Sequence, residues 1–325
     1  MYFLTTPLVD LALQHFDHLP LAQGDNFFST FGPGNLINAT NKPHERFNDY
    51  EELLQRLRQR NQQKYEQVHK GTPFFFLSWL AFDLRNYEKA LYYLDAAISE
   101  DVKNAGGNWI NLPGAQFLTL TQQQHVAGRI ISTIRDLLEH EINRFNQISG
   151  LAPITIAGFI DKFVSTLIQD PQTRTIVSAF YIFLLEKTER VIELNLRSTE
   201  GSSLGPIISH LFGGGLIFES LLKNRYPTKD DGTPVNVLGN VFFTTSFRND
   251  FSQGIQTHAE SLQDILDAIN DDSFITAFTA TARLRNTTGH NLVWDNIFNT
   301  SANYETLYQQ IVNALFYVIE RKFIR

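Results

Sequence analysis

Apolar side chains recur three and four positions apart along almost the whole chain, which is the period of an α-helix that buries one face. Leu53, Leu57 and the stretch Lys64 to Val68 predict a helix over about 49–69. Phe74 to Leu84 and Glu88 to Ser99 predict two helices joined by a tight turn at Arg85-Asn86-Tyr87. Thr121 to Ile148 predicts one long helix, with Val126, Ile130, Ile134, Leu137, Leu138 and Ile142 on its apolar face. Further helices are expected at about 154–168, 172–197, 206–223, 256–269, 272–286 and 303–323. Asp271 and Asp272 before Ser273 and Phe274 suit a helix start. Only Asn236 to Ser246 has β-type composition, and one such segment does not make a sheet. No strand–helix alternation is present, which excludes Rossmann and TIM architectures. The expected fold class is all-α, a helical bundle.

Glycine and proline punctuate the loops, at Gly32-Pro33-Gly34, Gly106-Gly107, Gly150 with Pro153, Gly201 to Pro206, and Tyr226 to Pro234. The break at Gly150 to Pro153 divides an N-terminal helical region, 1–150, from a C-terminal helical domain, 151–325. Tyr226 to Gln253 is long for a loop, so it is either an insertion with its own local structure or a mobile segment.

Within the N-terminal region, Leu77, Ser78, Ala81, Leu84, Tyr87, Ala90, Leu94 and Ala97 fall at the small and large positions of a helix hairpin. Small residues let two helices approach, and large ones fill the groove between them. The hairpin at 71–103 resembles one tetratricopeptide repeat. No second copy follows, and a solenoid needs about three. The simplest reading is an antiparallel helix hairpin, with a protein partner docking on the helical N-terminal region as the functional alternative. Phe74-Phe75-Phe76 reads as the buried start of its helix.

Composition narrows the chemistry. The apolar fraction is 43%, enough for a sizeable core, and there is no Cys, which removes disulfides, thiol catalysis and Cys-ligated metals. With 27 basic and 34 acidic side chains the net charge is −7, so a uniformly basic nucleic-acid coat is excluded while a local basic site is not. Residues 1–20 lack a basic n-region and a small-residue cleavage site, and Asp10 interrupts the apolar run. Thr175 to Leu185, the longest apolar stretch, is short of the roughly 20 residues that cross a bilayer. No membrane association is expected, and cytoplasmic is the expected location.

Several patterns imitate sites. Gly201-Ser202-Ser203-Leu204-Gly205 has nucleophile-elbow spacing but follows a helix where that motif needs a strand, so a helix–helix linker is expected. Gly213-Gly214-Gly215 lacks the Lys-Ser/Thr of a phosphate loop and reads as close helix packing or a kink. Asp230-Asp231-Gly232-Thr233 reads as a turn rather than a calcium loop. The nine histidines are scattered, and His15 with His18 is the one helix-face pair. No metal site and no cofactor are expected. Glu186, Glu189 and Glu193 alternate with Lys187 and Arg190, the pattern of a solvated helix face.

One segment departs from this background: Ala282 to Trp294, with Arg285, Asn286 and His290 forming an Arg-Asn-x-x-x-His string after an apolar helix. An imidazole titrates near neutrality and moves protons. A guanidinium is always charged and matches a phosphoryl group in fork geometry. Together they suit phosphodiester cleavage in which the RNA 2′-hydroxyl attacks the adjacent phosphorus, with Asn286 holding the phosphate or the imidazole. Thr287, Thr288 and Gly289 are poor helix formers in series and predict a break. A straight helix puts residues five apart about 140° out of phase, so Arg285 and His290 converge only through a bend or through symmetry-related chains.

At Arg285, Asn286 and His290 the sequence resembles the HEPN superfamily, whose ribonucleases carry an Arg-polar-x-x-x-His motif in an all-helical domain. The resemblance extends over roughly 151–325, with helices upstream and a final amphipathic helix at Tyr304 to Phe323. It implies a homodimer in which two copies of the motif share one composite cleft. It implies metal-independent RNA cleavage leaving a 2′,3′-cyclic phosphate, with His290 as general acid/base or phosphate-positioning group, and a role in prokaryotic defence or as a toxin. The sensing Rossmann-like domain of the CRISPR-associated members is missing. Two alternatives stand beside it. One is a non-catalytic interaction or RNA/nucleotide-binding protein with an inert HEPN-like dimer domain. The other is a nucleotide-modifying or antitoxin assembly in which Arg285 and His290 contact a partner's nucleotide.

Charge adds two candidate phosphate-attracting patches, Arg56, Arg58, Arg60, Lys64 and Lys70, and the terminal Arg321-Lys322-Phe323-Ile324-Arg325. Their ordinary explanation is a solvated helix face.

Overall fold

The computed structural model describes residues 6–20, 27–33, 43–121, 125–197, 204–252, 254–289, 297–298 and 300–325. Among them the chain is all-α and holds no strand; one isolated bridge links Thr228 and Pro234. Contacts divide it into two compact units, Met1–Ile131 and Ser132–Arg325.

The first unit contains α1 (Thr6–His18), α2 (Pro43–Arg60), α3 (Gln62–Gln67), α4 (Gly71–Asp83), α5 (Tyr87–Ala105) and α6 (Pro113–Leu118). The helix expected over 49–69 is broken at Asn61. That side chain turns back to accept the backbone N–H of Lys64 at 3.0 Å, capping a new helix instead of continuing the old one. The α4–α5 turn is tight because Arg85 takes φ +56°. The N–H of Asn86 then reaches the carbonyl of Ala81 at 2.8 Å, and that of Arg85 reaches Phe82 at 2.9 Å, a Schellman closure. Asn86 caps α5 in the same stroke. Leu77, Ser78, Ala81, Ala90, Leu94 and Ala97 are all buried in the hairpin, while Leu84 is exposed. Phe74, Phe75 and Phe76 are half-buried rather than core.

α7 (His125–Ser149) spans the unit boundary. Its buried positions Ile131, Ile134, Leu138, Ile142 and Phe145 alternate in steps of three and four. The second unit continues with α8, in which Ile156–Gly158, a π-helical turn Phe159–Val164 and Ser165–Leu167 run on from one another. Then come α9 (Pro171–Leu196), α10 (Gly205–Arg225), two short helices α11 (Leu238–Val241) and α12 (Thr245–Asp250), α13 (Leu262–Asp267), α14 (Phe274–Thr288) and α15 (Ser301–Ile319). α9 starts where Asp170 accepts the N–H of Gln172 at 2.8 Å and Pro171 fills the first helical position.

α15 lies at the centre of this unit, packed by α9, α10 and α14. Every residue from Gln310 to Glu320 is buried, so the helix is covered on all sides rather than along a stripe. Each buried Ile, Leu or Phe there contributes roughly 1.5–3 kcal/mol of apolar burial. Its fully buried Asn313 is partnered. Asn313 accepts from Arg144 at 2.8 Å, and Arg144 pairs with the buried carboxylate of Glu141 at 2.9 Å.

α10 is the one described helix long and apolar enough, by length and composition, to cross a membrane. Most of that stretch is buried inside the fold, and it carries His210 and Glu219 inward. It is built as a core helix. The 226–252 segment has its own structure, in which Phe247 meets Tyr226, Phe242 and Phe251 at ring distances of 5.2–5.4 Å. Its β-rich composition is thus spent on an aromatic cluster between short helical turns.

The helix expected over 256–269 is reduced to Leu262–Asp267, opened by a Ser261/Asp264 capping box. Residues 255–260 run outside any helix. Gly254 at φ +113° precedes them, and side chains of α14 hold this segment along its surface. Tertiary contacts override the helical period there.

Candidate functional site

Arg285 and Asn286 lie in the last turn of α14. α10 crosses α14 at this point, and Gly215 makes the close approach possible. A Cβ on Gly215 would stand 2.6 Å from the Cβ of Arg285. One position earlier, a Cβ on Gly214 would stand 2.6 Å from the ring of Phe183 and 2.9 Å from Ile311. Gly214 and Gly215 of the glycine triplet therefore serve helix packing.

The crossing brings Arg285 Nε to 2.5 Å from Glu219 Oε2. The two atoms form an ion contact without the alignment of a hydrogen bond. Glu219 is 6% exposed and holds a second cation, Lys223, at 2.6 Å through its other oxygen. Two cations against one carboxylate leave the cluster with a net positive charge. The Arg285 side chain is 30% exposed, with its Nε buried. Its Nη1 donates to Asn286 Oδ1 at 3.2 Å, and Asn286 Nδ2 donates to the carbonyl of Thr257 at 2.7 Å. Asn286 thus braces the arginine against the 255–260 segment.

Of the break expected at Thr287-Thr288-Gly289, Thr287 and Thr288 are helical and Gly289 is the C-cap. α14 runs through Thr288, whose hydroxyl donates back to the carbonyl of Leu284 at 2.6 Å and keeps the last turn closed. His290 lies outside the described residues, as does Trp294, and so do Gly201, Ser202 and Ser203 of the linker pattern. The structure joins Arg285 to Asn286.

Sequence reasoning passed over Glu219, Lys223 and Thr257. The signal for Glu219 was present: it is the single carboxylate in the α10 sequence, surrounded by apolar residues, a position that a charge occupies only with partners.

His210 also escaped notice. It is buried, and its ring stacks on Phe183 at 4.4 Å. Burial pushes its pKa down to about 3, so the ring is neutral. Nε2–H donates to the Phe183 carbonyl at 2.9 Å, and the Tyr304 hydroxyl donates to Nδ1 at 3.0 Å. Both nitrogens are used, which makes it a core histidine. His15 packs on Phe27 and Phe31, and His18 bonds the carbonyl of Gln14. Among the described residues no group of three or more His, Cys, Asp or Glu is gathered as a metal site.

Most cations of the two basic patches have partners inside the fold. Arg56 pairs with Glu52 at 2.7 Å, Arg60 with Asp17 at 2.7 Å, and buried Lys70 with Glu100 at 3.1 Å. Lys64 donates to the carbonyls of Phe16 and Asp17. At the C-terminus Lys322 pairs with Asp250 at 2.7 Å and Arg325 with Glu320 at 2.5 Å. The turn at Asp230 to Thr233 is tied by its own bonds, with Thr233 N–H and Oγ1 donating to Asp231. Glu189 and Glu193 pair with Arg190 on the α9 surface.

Comparison with protein-family models, with curated protein sequences and with solved structures gives no significant match.

Proposed function

We propose that the chain is a metal-independent endoribonuclease of the HEPN type, acting as a homodimer with a composite site and serving in defence or toxin-like RNA cleavage. The observation that carries this reading is the braced pair at the end of α14: a partly exposed arginine, fixed by Glu219 and Asn286, five residues before His290 in sequence. Preorganised cationic donors are what a phosphoryl transition state requires. In the reaction the 2′-oxygen forms a bond to phosphorus and the bond to the 5′-oxygen breaks, leaving a 2′,3′-cyclic phosphate. His290 takes and returns the proton. Arg285 stabilises the charge on the equatorial oxygens, and Asn286 keeps Arg285 in place.

A second reading is favoured by the same contact. A cation in the last turn of a helix offsets the dipole, and the Arg285–Glu219 pair locks α14 to α10 without any ligand. On that reading the domain is an inert interaction or RNA-binding module.

Cleavage rates of wild type, Arg285→Ala, His290→Ala and Asn286→Ala on labelled RNA separate the two. Arg285→Ala is expected to lose roughly 100- to 1,000-fold, as removal of one transition-state donor does. It keeps its fold because Lys223 still holds Glu219. Full activity in both Arg285→Ala and His290→Ala sinks the assignment, and RNA binding without turnover by wild type selects the second reading.

A further inference from the structure

One turn before Arg285, the same helix lines a cavity of about 220 Å³. Ile265, Ile269 and Ile275 form apolar wall, and Asn270, Thr279 and Arg283 bring polar groups to it. Arg283 is the one charged residue on the lining. The 255–260 segment closes one side. The N–H of Gln256 donates to Thr279 Oγ1 at 3.4 Å, and Arg283 Nη2 donates to Gln256 Oε1.

The satisfaction of Arg283 is incomplete. Its Nε is buried with no hydrogen-bond partner. A buried donor without an acceptor is costly, and here the group that lacks one belongs to a cavity-lining side chain. The cavity is below the size of typical drug-like sites, which suits a single flat ring system better than a whole nucleotide. Apolar walls, side-chain amides and one guanidinium donor are the means by which proteins hold an unpaired base. Arg283 and Asn286 are three residues apart and so neighbours on the helix surface, which links the cavity side of α14 to Arg285 through Asn286.

We propose that this cavity is a base-reading subsite that takes an unpaired nucleobase presenting a carbonyl acceptor, guanine or uracil, to Arg283. The assignment rests on the ribonuclease reading, and its test uses binding as well as cleavage so that the two are separable. Ten-nucleotide 2′-O-methyl oligo(U) and oligo(A) carry no free 2′-hydroxyl and report binding alone. Fluorescence anisotropy should show wild type preferring oligo(U) by roughly tenfold, the discrimination a well-placed hydrogen-bonding pair gives. Arg283→Met, which keeps the stem and removes the donors, and Thr279→Phe, which fills the cavity, should each abolish that preference. Equal binding of the two oligomers by wild type, or a preference unchanged in both variants, overturns the subsite. Cleavage of ordinary RNA by the same preparations is scored in parallel. Cleavage without base preference removes the subsite and leaves the ribonuclease reading standing. Base preference lost in both variants, with no cleavage by wild type, supports the subsite and removes the nuclease.

Discussion

His210 shows how a single side chain takes its chemistry from its surroundings. In water it would titrate near 6.5, but here its ring stacks on Phe183 beside Tyr304 and Tyr308, with both nitrogens bonded. Burial holds its pKa at about 3. The folded state therefore binds fewer protons than the unfolded state below pH 6.5. The stability this residue contributes is present above that value and is lost as pH falls toward 3. Between pH 6.5 and 5, where carboxylates stay ionised, the loss is about 1.5–2 kcal/mol. Urea midpoints at pH 6.5 and 5 should converge in His210→Gln, whatever its stability at neutral pH. An unchanged gap between the two midpoints would show that the ring is not desolvated. Neither the burial nor the tautomer was legible in the sequence, since an isolated His in an apolar helix looks alike whether it lines a site or fills a core.

At the scale of elements, the helical period placed most helices, because each buries a stripe or a whole surface against a neighbour. It failed where local signals or tertiary contacts compete. Asn61 ends one helix by capping the next. Residues 255–260 are held outside any helix by Thr279 and Asn286. The β-branched and aromatic residues at 236–246 fold as short turns around Phe247. The glycine triplet was readable as a packing device, but not which of its members meets which helix. The geometry now makes the three unequal. Gly213 faces open space, so Gly213→Ala gains up to about 1 kcal/mol of helix propensity. Gly214→Ala and Gly215→Ala force α10 away from Phe183, Ile311 and Arg285 and cost roughly 1–3 kcal/mol. Thermal unfolding of the three variants checks the order. Equal effects would mean that the helices do not cross as closely as described.

At the scale of the molecule, the all-α class followed from periodicity, while the site was legible only in part. Arg285, Asn286 and His290 stood out as a string of residue types. What the string could not carry is what surrounds it: the carboxylate of Glu219, the brace through Thr257, and the cavity beneath Arg283, all contributed from distant sequence. These long-range neighbours turn a motif into a proposed site with a polarity, phosphate-binding at Arg285 and base-reading at Arg283. The most direct test incubates mixed-sequence RNA with wild type and with Arg285→Ala/His290→Ala in EDTA and identifies the 3′ ends produced. The account predicts 2′,3′-cyclic phosphate ends from wild type and none from the double variant. Equal cleavage by both proteins, or 3′-hydroxyl ends, would contradict it.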